Sequence, residues 1–127
     1  SNFSLESTGR VRILDCGDSA DVLAEAAACR DKDCATFSLI CVGNLFLEAR
    51  ARAMFMRRAS MTVVTEALQS RDADVVRFAA GALRNYCSDP RTCPSVAHTP
   101  GLQRRLQDLA DHPSERVRDH ARACLTN

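Results

Sequence analysis

Apolar residues recur along this chain at the spacing of helix faces, and short polar breaks interrupt them. Ala20–Ala28 carries apolar positions on one side, with Asp21 and Glu25 on the other. Arg30-Asp31-Lys32-Asp33 breaks that pattern. A long apolar segment follows from Cys34 to about Arg50, which predicts a buried helix with Asp33 as its N-cap. Arg71-Asp72-Ala73-Asp74 makes the same break, so Asp74 is expected to cap a helix over Val75–Cys87. Ser88-Asp89-Pro90 stops it, because proline cannot continue a helix. His112-Pro113-Ser114 is a third break, with Ser114 as the cap and Glu115-Arg116-Val117 opening the last helix. Shorter helices are expected before each pair, at about Leu5–Cys16, Arg50–Arg58 and Thr92–His98. The sole strand candidate, Val11–Leu14, is short and fits the helical register. The predicted class is all-α.

The pattern repeats. Asn44 and Asn85 lie 41 positions apart, and sliding the chain by that amount lays Ser19–Phe46 on Ser60–Cys87 without a gap. Nine of the 28 columns are identical, among them Asp31 with Asp72, Asp33 with Asp74, Phe37 with Phe78 and Asn44 with Asn85. A third copy follows 42 positions on, pairing Val75 with Val117, Ala79 with Ala121, Leu83 with Leu125 and Asn85 with Asn127. Its inward face turns polar, with Arg118, His120 and Arg122 standing for Val76, Phe78 and Ala80. That is what the end of a stacked array needs to stay soluble. Three units are expected in one domain over residues 1–127: about 3–47, 48–89 and 90–127. The chain starts without Met and ends inside a helical pattern, so a piece of a longer protein is expected.

Composition narrows the class further. With 17 basic and 16 acidic residues the formal charge is +1, so no global basic field drives nucleic-acid or membrane binding. Hydrophobic residues make up 46%, which excludes a disordered tail. The longest apolar stretch, Ala35–Leu47, is too short to span a bilayer. Seven cysteines, an odd and scattered set, argue against a disulfide scaffold. They are expected to be mostly buried thiols of a reducing compartment, cytoplasmic or nuclear.

Three helices per unit and a long third helix ending in Leu-x-Asn resemble the armadillo repeat. Ala79-Ala80-Gly81-Ala82-Leu83-Arg84-Asn85 is similar to that family's third-helix signature. Val42-Gly43-Asn44-Leu45 and Cys124-Leu125-Thr126-Asn127 follow it more loosely, and Thr99-Pro100-Gly101-Leu102 looks like its glycine turn. The related HEAT repeat is the second choice. The resemblance implies a right-handed superhelical solenoid of about three repeats whose third helices line a concave face. Counting by fours from each Asn gives three stripes on that face: Thr36, Ile40, Asn44 and Glu48; Arg77, Gly81, Asn85 and Asp89; Asp119, Ala123 and Asn127. An Asn amide can both donate to and accept from an extended peptide backbone. Asn44, Asn85, Arg77, Ile40, Gly81, Glu48 and Asp89 are therefore the candidate partner contacts. An Asn near a helix end also serves as a cap or as a ladder between repeats, and both readings of Asn85 stay open. Importin-type grooves carry Trp four residues before the Asn; here Ile40, Gly81 and Ala123 stand there, and the chain has no Trp. A nuclear-signal receptor is not expected. The mixture of Arg77 and Asp89 also differs from the uniformly basic groove of a catenin-like protein.

Enzymatic chemistry finds little support. Cys87, Cys93 and His98 lack the tight pairs of a structural zinc site, and His98, His112 and His120 suggest no base beside a nucleophile. Cys34 and Cys41 occupy the positions of Val75 and Ala82 one unit on, which places them in the core. Arg57-Arg58 and Arg104-Arg105 are too short a basic run for nucleic acid, and Phe37, Phe55 and Phe78 are expected on core faces. No metal, cofactor, nucleic acid or membrane span is expected. The function expected is a non-catalytic adaptor or scaffold that holds a peptide or helical segment of a protein partner in its groove. The alternative is a structural end segment of a longer solenoid, self-associating through exposed apolar ends that include Phe46 and Leu47.

Overall fold

The computed structural model describes residues 25–27, 29–57, 61–91, 94, 99 and 101–126. Among them stand six helices and no strand: α1 (Lys32–Leu45), α2 (Ala49–Arg57), α3 (Met61–Ala67), α4 (Ala73–Cys87), α5 (Leu102–Leu109) and α6 (Glu115–Thr126). The expected helix at Leu5–Cys16, that at Thr92–His98 apart from Pro94, the candidate strand at Val11–Leu14, and Arg58, Cys16, Cys93, His98 and Asn127 lie outside the described residues. The arrangement is an all-α solenoid in which α4 is the central element, packed on α1, α6 and α3, while α6 also packs on α5.

The two long helices start two residues earlier than the sequence pattern implies. Asp31, in an extended conformation, accepts from the backbone N–H groups of Asp33 and Cys34 at 2.9 and 3.3 Å. Asp72 does the same for Asp74 and Val75 at 2.9 and 3.4 Å. Asp31 and Asp72 are thus the N-caps, and Asp33 and Asp74 sit in the first turns, where negative charge favours the helix dipole. Lys32 reaches from the start of α1 to Asp72 and Asp74 at 3.1 and 3.0 Å, tying the starts of neighbouring long helices together. Its ammonium pKa is raised, by Asp74 and then Asp72. Gly101 has φ 76°, a left-handed conformation that costs a side-chain-bearing residue energy, and it opens α5 as the glycine turn implied.

The core runs continuously through the stack. Leu39, Val42, Leu45 and Phe46 from α1 and its end meet Ala79, Leu83 and Tyr86 of α4. Leu106 and Leu109 of α5 and Val117, Ala121 and Cys124 of α6 extend it. The Phe46 and Tyr86 rings pack tilted with centroids 5.2 Å apart. Phe46 is therefore fully buried, not part of an exposed end, whereas Leu47 is exposed. Phe37 is 62% exposed and does not lie on a core face. Its repeat partner Phe78 is half-buried against the core, because α4 is flanked by both α1 and α6. Of the described cysteines, Cys87 and Cys124 are buried, Cys34 and Cys41 are half-buried and Cys29 is exposed. Cys34 and Cys41 thus lie at the edge of the core rather than in it.

The long apolar helix expected to reach about Arg50 ends at Leu45. An ion pair lies behind the turn that follows. Arg52 donates to the Phe46 carbonyl and, through Nε and Nη2, to one Asp89 oxygen at 3.2 and 3.1 Å. Asp89 also accepts from the Arg91 backbone N–H at 2.8 Å and from the Arg91 side chain. Its side chain is 8% exposed and that of Arg52 is 12% exposed. The bond from the Arg91 backbone holds the Asp89 carboxyl below its usual range, helped by the Arg91 and Arg52 side chains and opposed by burial. A depressed carboxylate pKa contributes stability that is present above the unfolded value, about 3.9, and is lost as pH falls through the folded value. Asp89→Asn is therefore expected to lower the melting temperature at neutral pH, with the gap to wild type closing below pH of about 4. Melting curves across that range test it; a gap independent of pH would remove the charge of Asp89 from the account.

Candidate partner-binding groove

The second half of α1, the middle of α4 and the first half of α6 enclose an open groove of about 470 Å³. Five of the seven residues singled out from the sequence line it: Ile40 and Asn44 from α1, and Arg77, Gly81 and Asn85 from α4. Counting by fours from Asn85 finds the α4 wall, since a regular helix presents those positions on one stripe. Glu48 and Asp89 fall elsewhere. Glu48 follows the end of α1, where its carbonyl receives the Ala51 and Arg52 N–H groups of the next helix. Asp89 follows the end of α4, is buried beside Arg52 and is also paired with the exposed Arg91. Both stripes were carried one step too far, past the points where the helices stop. Thr36 is buried, its hydroxyl donating back to the Lys32 and Asp33 carbonyls at 2.9 and 3.1 Å.

The third wall differs from expectation. Arg116 and His120 of α6 line the groove, not Asp119 and Ala123. His120 had looked like a solubilising replacement for Phe78. Instead it fills the space beside Gly81: a Cβ built on Gly81 would meet its Nε2 at 3.4 Å. Arg84, one residue before the marker Asn, donates from Nη1 to His120 Nδ1 at 3.4 Å, which requires the neutral ring to accept there. Burial lowers the His120 pKa first and the positive charge of Arg84 next; Asp119 opposes them, and Arg116 and Arg77 lower it further. The signal for Arg84 was its place seven residues, two helical turns, from Arg77.

Arg77 is held in several ways. Its guanidinium carbon lies 4.5 Å from the Phe78 ring centroid, and Nη2 is 3.6 Å from Asp74. Its Nε is buried without a hydrogen-bond partner among the described residues. Asn85 donates from Nδ2 to the Gly43 carbonyl at 2.9 Å, a bond between neighbouring long helices. The ladder reading of Asn85 is thus present in the structure. The amide retains a second N–H and its oxygen, so the ladder bond orients the group and does not exhaust it.

No family model matches this sequence, and no curated protein matches it. Solved structures do. A designed armadillo repeat protein superposes with a TM-score of 0.88 over 98% of this chain, at 14% identity. An engineered protein follows at 0.87 over 97%, at 22% identity. A second designed armadillo repeat protein, in complex with the peptide (KR)4, superposes at 0.85 over 98%, at 15% identity. The fold is that of an armadillo repeat protein. This chain spans about half the length of these structures, 53%, 50% and 52% respectively. The armadillo arrangement accounts for the Asn44 and Asn85 positions, since successive long helices must stack side by side to bring them to one groove.

The other chemical candidates do not converge. Among the described residues, no group of three or more His, Cys, Asp or Glu is placed to hold a metal ion. Cys87 is buried, and its proposed companions Cys93 and His98 lie outside the described residues. Among the described residues, no helix is long and apolar enough to cross a membrane. Of the basic doublets, Arg104 is exposed, while Arg105 donates from Nε to the Leu68 carbonyl at 2.8 Å. Arg105 is therefore a tie to the end of α3 rather than part of a solvated basic run.

Proposed function

We propose that this chain is a non-catalytic protein-interaction module, an adaptor or scaffold that holds an extended segment of a partner in the groove between α1, α4 and α6. The observation that carries the reading is the convergence of Asn44, Asn85, Arg77, Ile40 and Gly81 on one open groove. Amides at successive repeats can meet the backbone of an extended chain, whose N–H and C=O groups need partners once water is displaced. One of the similar structures is a complex with a peptide, (KR)4. The chemistry of the lining also favours binding over catalysis. Its described lining residues are amides, guanidinium groups, aliphatic carbons, Phe78 and one histidine, with neither a carboxylate nor a thiol among them.

Selection of a random peptide library on the folded domain tests this. Enriched peptides are expected to bind the wild type and to lose about tenfold or more with Asn44→Ala/Arg77→Ala, whose circular dichroism is expected to match the wild type. Equal binding to both proteins would move the site off the groove. An unenriched library would remove peptide binding from the account.

A further inference from the structure

We infer that the groove selects an anionic peptide, an extended segment bearing carboxylate or phosphate side chains; the inference rests on the peptide-binding reading above. The charge on its walls has one sign. Arg77 and Arg84 of α4 and Arg116 of α6 line it, and no Asp or Glu is among its described lining residues. The whole chain carries a formal charge of only +1, so this concentration is local and is not a reflection of composition. From the sequence, Asp89 balanced Arg77 on the same face. The structure removes that balance, because Asp89 is buried against Arg52, is paired with the exposed Arg91 and is not among the groove's lining residues.

The guanidinium groups are positioned and only partly satisfied. Arg77 lies over the Phe78 ring, and its ion pair with Asp74 is long, at 3.6 Å. Its buried Nε lacks a hydrogen-bond partner among the described residues. Arg84 leans on a neutral histidine. Guanidinium groups recognise carboxylate and phosphate by paired, coplanar N–H donation, and such an anion would give Arg77 and Arg84 the acceptors they lack. His120 adds a conditional charge. The charged groups around it are Arg77 and Arg84 from α4 and Arg116 and Asp119 from its own helix. An anion among those arginines would cancel part of the field that keeps the ring neutral, so binding takes up a proton and tightens as pH falls.

Nucleic acid is the other polyanion to consider. Among the described lining residues the only phenyl ring, Phe78, has Arg77 across its face, and the His120 imidazole is engaged by Arg84, so neither offers a free stacking platform.

The test is fluorescence anisotropy at about 0.15 M salt, where long-range attraction between exposed charges is screened. The probes are four labelled peptides of equal length and one oligothymidylate. One peptide alternates Asp with Glu, one carries phosphoserines among glycines, one alternates Lys with Arg, and one is neutral Ser-Gly. The acidic or the phosphorylated peptide is expected to bind about tenfold or more tightly than the basic and neutral ones. Which of the two leads identifies the source of the anion. Arg84→Glu/Arg116→Glu, at exposed positions, is expected to abolish that preference and keep the fold. In the acidic complex the His120 ring is expected to titrate at a higher pH than in the free protein, read by NMR. Binding of the basic or neutral peptide as tightly as the acidic one would overturn the charge selection and leave the peptide groove standing. Tighter binding of the oligothymidylate than of any peptide would overturn the inference in favour of nucleic acid. Absence of binding by every peptide would overturn the underlying reading as well.

Discussion

Tyr86→Ala is expected to cost the domain about 3–5 kcal/mol, the range for truncating a fully buried aromatic side chain. The ring is 1% exposed on the central helix and packs on Phe46, itself fully buried, at 5.2 Å between centroids. Truncation removes apolar contacts on α4 and also the wall against which the end of α1 is anchored. Phe46 is the residue at which α1 stops, and its carbonyl is held by Arg52. The cavity would therefore open at a junction where α1, α2 and α4 all depend on the same few groups. A native domain of this size has a total stability of about 5–15 kcal/mol, so the loss is a large share of it. Thermal melting should show a midpoint lowered by roughly 10–20 °C. Phe37→Ala is the matched control: the ring is 62% exposed, and a change within about 0.5 kcal/mol is expected. Equal effects of the two truncations would mean that the Phe46–Tyr86 contact is not part of the core.

That contrast marks where a repeated sequence stops being a guide. Phe37 and Phe78 are the same residue in the self-alignment, yet one is exposed and the other packs on the core. Identity at a repeat position reports the shape of the unit, while burial depends on how many neighbouring units cover it. The helices themselves were legible, because apolar spacing and polar breaks are local properties. Their caps were misplaced by two residues in both long helices. Two aspartates flank Lys32, and two flank Ala73, and only the backbone conformation tells which of each pair precedes the first turn. The α1 and α4 walls of the groove were legible by counting from Asn44 and Asn85. The α6 wall was not. The count there began from Asn127, at the end of the chain, and the groove instead takes Arg116 and His120. Two charged residues assigned to the groove by that same counting, Glu48 and Asp89, lie beyond the helix ends, so the electrostatic character of the site emerged only from the structure.

Gly43 carries the second large expectation, and it concerns the spacing between repeats. The α1 and α4 helices approach closely there: a Cβ on Gly43 would sit 3.4 Å from the Ala82 Cα and 3.5 Å from its Cβ. These are ordinary contact distances, so a single methyl fits. Gly43→Ala is expected to be neutral or stabilising by up to about 1 kcal/mol, since alanine favours the helix over glycine by that amount. Gly43→Leu adds three further carbons beyond a Cβ that is already in contact with the Ala82 backbone of α4. Overpacking of this kind costs about 1–3 kcal/mol, and forcing the helices apart also lengthens the 2.9 Å bond from Asn85 to the Gly43 carbonyl. Loss of that bond adds about 1 kcal/mol, for a total near 2–4 kcal/mol in urea unfolding. The two contributions can be separated. If leucine has already broken the ladder bond, adding Asn85→Ala to Gly43→Leu should cost less than Asn85→Ala costs in the wild type. Additive losses would mean that the bond survives and that α4 absorbs the leucine by another route. A Gly43→Leu protein as stable as the wild type would mean that the two helices do not meet at Gly43 and Ala82, and the groove built on their spacing would lose its geometric basis.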